Sequence, residues 1–183
     1  MTDIRKQVTE QLSQLIGLKL SIARRAADMR GFHFGRLTLR PDGKGSVGEF
    51  ALHIQCPWRI DGPDGIVTGD GDLWDSAEPD EEVDWDTWHY DENENLQDWQ
   101  IAALLGGYDP STRSFTNDTG FLVVEGVEAD DFGGATVTLS GGYRLSIFPS
   151  GGVGEDWRLF RPSAPSHFVV RGGRIETSTD DPT

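Results

Sequence analysis

His53 and Cys56 have the residue types for nucleophilic catalysis, a thiolate attacking while an imidazole takes its proton. Their spacing argues against it. Three residues apart on a strand, they point to opposite faces. Phe50, Leu52 and Ile54 share the Cys56 face, which makes it a core thiol rather than a reactive one. His33, His53, His89 and His167 fall in no HxH or HExxH spacing that would fix two metal ligands on one face. Asp70-Gly-Asp-Leu-Trp-Asp75 has the outline of a calcium loop, with Glu81 at the twelfth position, but Trp74 stands at the fifth and Asp75 replaces the glycine needed at the sixth. Gly151-Gly-Val-Gly154 lacks the Lys-Ser/Thr of a phosphate loop and runs into Glu155 and Asp156, so it reads as a turn. Those two adjacent carboxylates diverge in extended chain and make a poor acid/base pair. No catalytic residue, metal or cofactor is expected, and the reading leans away from an enzyme.

The pattern that does suggest a site is acidic and aromatic. Residues 60–112 carry sixteen acids and no Lys or Arg, whereas residues 1–59 carry ten bases against five acids. Trp74, Trp85, Trp88 and Tyr90 sit inside the acidic run, among Asp80, Glu81, Glu82 and Asp84. Aromatic side chains anchor interfaces, and surrounding carboxylates steer a basic partner. A competing account makes the tryptophans core pegs under a solvated loop, with the acids partly facing the basic N-terminal third of the same chain. Another candidate surface is the polar face of the run 48–60, where His53, Gln55 and Arg59 would line a small-molecule pocket.

Net charge is −15 over 183 residues, which disfavours nucleic acid and anionic membranes as partners, since both need clustered Lys/Arg. Cys56 is the only cysteine, so no intramolecular disulfide forms and a reducing cytoplasm is expected. Arg5, Lys6 and Glu10 interrupt the first apolar residues, unlike a signal peptide, and no apolar run is long enough for a membrane span. Oligomeric state is not readable from these features.

The elements that must position these residues follow from periodicity. Ile4, Val8, Leu12, Leu15 and Ile16 make one face of a helix over 3–16, with Thr2 or Asp3 as N-cap and Gly17 as stop. Strands are expected at 18–25 and 32–39, and the turn 41–45 leads into the longest alternating run, 48–60. That run sends Phe50, Leu52, Ile54, Cys56, Trp58 and Ile60 to the core. The acidic stretch beyond reads as an ordered but extended loop. A helix is expected at 95–105, capped by Asn93 or Asn95, with Leu96, Trp99, Ala103 and Leu104 buried. Strands then recur at 121–125, 135–139, 143–148, 157–160 and 167–170, with Val137, Leu139, Leu145 and Ile147 inward across the Ser140-Gly-Gly142 turn. The regions 32–60 and 135–160 share a loose layout that ends in Trp58-Arg59 and Trp157-Arg158.

The text Glu49-Phe-Ala-Leu-His-Ile-Gln-Cys-Pro-Trp-Arg-Ile60, with Val67-Thr-Gly-Asp70 and Asp72-Leu-Trp74, resembles a group of uncharacterised bacterial single-domain cytosolic proteins. The resemblance implies a bacterial, cytosolic protein and no particular activity. The expected fold is α+β: a mostly antiparallel sheet or half-open barrel of about seven or eight strands with one or two covering helices, over 1–176, and a flexible tail at 177–183. The expected function is non-enzymatic, an immunity or inhibitor protein that binds a basic partner through the acidic Trp-bearing segment 61–99. The alternatives are a small-molecule binder or enzyme at His53, Gln55 and Arg59, and a DNA-mimic inhibitor.

Overall fold

Pro57 divides the long apolar run in two. Having no N–H to give to a ladder, it separates Phe50–Ile54 from Trp58–Gly62, and the two strands enter different sheets. The single strand expected over 48–60 is therefore a strand, a corner and a second strand. The face assignment holds through the corner, with Phe50, Leu52, Ile54, Cys56, Trp58 and Ile60 all buried.

The computed structural model describes residues 3–78 and 83–179. In chain order, α1 (Ile4–Leu12) continues as a 3-10 turn over Ser13–Leu15 and leads to β1 (Leu20–Ala26) and β2 (Met29–Phe34). A small hairpin, β3 (Thr38–Leu39) and β4 (Ser46–Val47), precedes β5 (Phe50–Ile54), β6 (Trp58–Gly62) and β7 (Gly65–Gly69). A 3-10 turn at Asp70–Trp74 opens the acidic segment, which ends at α2 (Leu96–Leu105). Then follow β8 (Gly106–Asp109), β9 (Ser114–Asn117), β10 (Val124–Ala129), β11 (Ala135–Leu139) and β12 (Tyr143–Ile147). The last strands are β13 (Trp157–Phe160), β14 (Ser166–Arg171) and β15 (Arg174–Thr179).

Eight strands form one sheet in the order β15-β14-β13-β5-β2-β1-β9-β8, five form a second in the order β10-β11-β12-β6-β7, and β3 pairs with β4 alone. Every strand pairing among the described residues is antiparallel. The sheets do not close into a barrel, and with two covering helices among the described residues the fold is α+β. The strands outnumber expectation because several, such as β8 and β9, are four residues long and lack an alternating apolar pattern. β15 pairs through Thr179, beyond the boundary at 176 that composition suggests, and residues 180–183 lie outside the described residues.

Two of the crossings between the sheets, from β5 to β6 and from β12 to β13, lie side by side. Ile54 pairs with Trp157 in the larger sheet, and Trp58 pairs with Ile147 in the smaller. Between them the Gln55 and Cys56 amides donate to the Asp156 carbonyl at 2.8 and 3.1 Å, and the Phe148 amide donates to that of Pro57 at 2.8 Å. Trp58-Arg59 and Trp157-Arg158 thus occupy equivalent places, each opening the strand that follows a crossing. Both tryptophans are buried in the one apolar core that the two sheets and two helices share.

Asp3 caps α1, its side chain accepting from the Lys6 amide at 3.0 Å, and Val8, Leu12 and Leu15 face the core while Ile16 is exposed. Asn95 caps α2 by accepting from the Asp98 amide at 2.8 Å, and Gly106 ends it at φ 89°. The buried face of α2 differs from expectation: Gln97, Ile101 and Leu105 point inward, while Trp99 and Ala103 are exposed and Leu104 is half-buried. Apolar residues surround this helix, so no stripe selects its orientation; the contacts of Gln97 and Asp98 with β2 select it instead. Among the described residues no helix is long and apolar enough to cross a membrane.

Candidate functional site

The acidic segment is a loop closed at its base rather than an extended one. Ser76 bridges Asn95, the Ala77 amide donates to the Glu94 carbonyl at 2.9 Å, and the Leu96 amide donates to that of Asp75 at 2.8 Å. Within the loop the Asp84 carbonyl accepts from the Thr87 and Trp88 amides at 3.1 and 3.0 Å, which makes a tight turn. That turn packs its own aromatics together, Trp85 lying tilted against Trp88 at 5.5 Å between ring centres, while Trp74 meets the edge of Tyr90 at 4.8 Å. Trp88 is half-buried, but Trp74 and Trp85 keep 51% and 49% of their surface exposed. Asp75, Glu78, Asp84, Asp86, Glu92 and Glu94 are exposed around them. Asp80, Glu81 and Glu82 lie outside the described residues.

Some acids of the segment do face the basic N-terminal third. Arg30, fully buried in β2, donates to Asp98 Oδ1 at 2.6 Å and through Nε to Gln97 Oε1 at 3.1 Å. Its neighbour Arg25 reaches Asp98 Oδ2 at 3.1 Å and Asp91 at 3.0 Å, and Arg113 reaches the same Asp91 oxygen at 2.7 Å. Burial would raise the Asp98 carboxyl, but the charge and hydrogen bonds of Arg30 and Arg25 outweigh it and hold the group below the ordinary carboxylate range. Asp91 and Asp98 are thus internal anchors that tie the loop and α2 to the larger sheet. A cavity of about 360 Å³ opens beside them, lined in part by Arg113, Trp99 and Tyr108. Trp99 and Tyr108, both 55% exposed, extend the aromatic surface beyond the residues that sequence suggests.

His53, Gln55 and Arg59 do not converge on one pocket. The corner at Pro57 sends Arg59 into the smaller sheet, where it pairs with Asp61 at 2.9 Å and lies over the Phe148 ring. Gln55 donates to Glu155 at 3.2 Å. His53 alone lines a cavity of about 570 Å³ on the larger sheet, where it meets His33 and Arg24, neither of which spacing in the sequence connects to it. Arg40, Lys44, Ser111 and Thr112 complete the rim from two loops far apart in the chain. Alternation within a strand could have placed His33 and His53 on outward faces, but no local signal foretells which strands are neighbours.

Cys56 is buried at the corner, and desolvation, followed by the charge of Asp156, pushes its thiol up to about 12, so it stays protonated. Glu155 is taken up by Arg158 at 2.6 Å, and Asp156 accepts from the Gly172 amide at 2.6 Å. No group of three His, Cys, Asp or Glu side chains among the described residues could hold a metal ion. No protein-family model, curated protein or solved structure matches the chain.

Proposed function

We propose that the chain is a protein-interaction module that binds a basic protein through the closed acidic loop, in the manner of an immunity or inhibitor protein set against a basic toxin or nuclease. One observation carries the reading: Trp74 and Trp85 are half exposed, surrounded by exposed carboxylates, in a stretch without a single Lys or Arg. Large aromatics held by a turn and by partner rings lose little conformational freedom on binding, which suits them as anchors. The carboxylates around them supply long-range attraction and hasten encounter with a cationic surface. Asp91 and Asp98 are excluded from this role, since Arg25, Arg30 and Arg113 already engage them.

The test compares two immobilised baits in lysate of the source organism: the wild-type chain, and a variant carrying Trp74→Ala, Trp85→Ala, Asp84→Asn and Asp86→Asn. A basic protein retained at low salt by the wild type, released at high salt and missing from the variant is the expected result. Retention of the same proteins by both baits would overturn the reading.

A further inference from the structure

The cavity beside His53 is basic in a chain that is strongly acidic. Its floor is a row across three strands: Arg24 on β1 lies opposite Gly31 on β2, and Gly31 lies opposite His53 on β5. Without a side chain at 31, the His53 ring lies against bare backbone, with His53 Cδ2 3.1 Å from where a Cβ would stand. His33, two residues along β2, projects from the same face with its ring centre 6.2 Å from that of His53. The β3–β4 hairpin brings Arg40 and Lys44 to the rim, and the β8–β9 turn brings Ser111 and Thr112. Phe160 and Pro162 form an apolar wall.

Arg24, Arg40 and Lys44 are the cations of this lining. The Arg24 guanidinium donates through one Nη to the Ser46 carbonyl, while its buried Nε has no hydrogen-bond partner among the described residues. His33 Nδ1 accepts from the Gly48 amide at 3.3 Å, which leaves the hydrogen of the neutral ring on Nε2. Desolvation, with Arg24 next in importance, takes His33 down to about 3 and so keeps it in that neutral form. The carboxylates nearest these groups are already engaged. Asp109 accepts from Ser111 and Thr112, Asp42 pairs with Arg40 at 3.0 Å, and Glu155 pairs with Arg158.

We infer that this cavity binds a small phosphorylated molecule, with Arg24, Arg40 and Lys44 on the phosphate and Phe160 and Pro162 against its organic part. Phosphate suits the site because it offers several acceptor oxygens and up to two charges, and guanidinium groups match its geometry. A volume of about 570 Å³ lies within the usual range for small-molecule sites. A net charge of −15 repels a nucleic-acid polymer, with its many phosphates, far more strongly than a small anion of one or two charges. The site is separate from the acidic loop and does not depend on the interaction proposed for it.

The test titrates the chain, labelled at histidine, with pyrophosphate and with adenosine diphosphate at constant ionic strength and follows the imidazole resonances. Saturable shifts of His33 and His53 are expected, with His89, in the acidic loop, unmoved. Lys44→Gln and Arg40→Gln should each weaken binding by about tenfold. Both positions lie in an exposed hairpin, so the test does not depend on a variant of β1 remaining folded. Absence of saturable shifts with millimolar probe, or affinity unchanged in both variants, would overturn the proposal. So would a single-stranded oligonucleotide that binds through these residues more tightly than either small probe.

Discussion

Arg30 Nη2 lies 2.6 Å from Asp98 Oδ1 and joins a guanidinium with no solvent exposure on β2 to the first turn of α2. Removing one partner of a buried pair leaves the other charge without compensation, which costs far more than the intact pair contributes. Asp98→Ala should therefore destabilise the chain by about 3 kcal/mol. Equilibrium denaturation in urea measures this, and a loss below about 1 kcal/mol would mean that water or Gln97 replaces the carboxylate. The double change Arg30→Met with Asp98→Leu, which removes both charges, should be milder than Asp98→Ala alone.

Acid should weaken the fold before ordinary carboxylates titrate. Burial takes His33 down to about 3 and His53 down to about 4, with Arg24 and Arg158 the next contributors, so the folded chain keeps both rings neutral while the unfolded chain protonates them near 6.5. The unfolded state then binds more protons, and stability falls as pH drops from about 6.5 towards 4. Asp98, whose folded carboxyl lies below its ordinary value, adds a loss in the same direction at lower pH. The two imidazoles together should cost on the order of 6 kcal/mol between pH 7 and 4. Melting temperature against pH measures this, and His33→Gln with His53→Gln should flatten the curve above pH 4. An unchanged slope in that variant would assign the acid sensitivity to other groups.

Gly31 makes room for His53. A Cβ at position 31 would stand 3.1 Å from His53 Cδ2, closer than normal contact, so Gly31→Ala must push the ring aside. A stability loss of about 1 kcal/mol is expected, together with a displaced His53 resonance and weaker pyrophosphate binding. A His53 resonance at its wild-type position would show that the ring does not depend on the gap.

The parts of the fold readable in the sequence are those built from neighbours along the chain. The hairpin of β11 and β12 is an example: Val137, Leu139, Leu145 and Ile147 alternate around Ser140-Gly-Gly142, and all four are buried. Both helices announced themselves through caps and stops, as Asp3 and Asn95 accept from the amides three residues on. The α2 orientation was not readable, because Trp99, Ile101, Ala103 and Leu104 are all apolar and the choice rests on Arg30, sixty-eight residues before Asp98. The acidic segment was half legible: its composition marks an aromatic surface, yet which carboxylates are free depends on Arg25, Arg30 and Arg113.

The sequence by itself determined the faces of the 48–60 run and of the β11–β12 hairpin, the helix caps, the buried thiol and the concentration of acid around Trp74 and Trp85, because each follows from periodicity, capping or composition over a few residues. The tertiary structure decided which sheet each half of the 48–60 run enters, how the acidic loop closes at Ser76 and Asn95, and that Arg24, His33 and His53 meet beneath Arg40 and Lys44. These depend on pairings between strands distant in the chain. Strand order is set by the burial of both sheets against a common core, a condition on the whole chain that no local window contains.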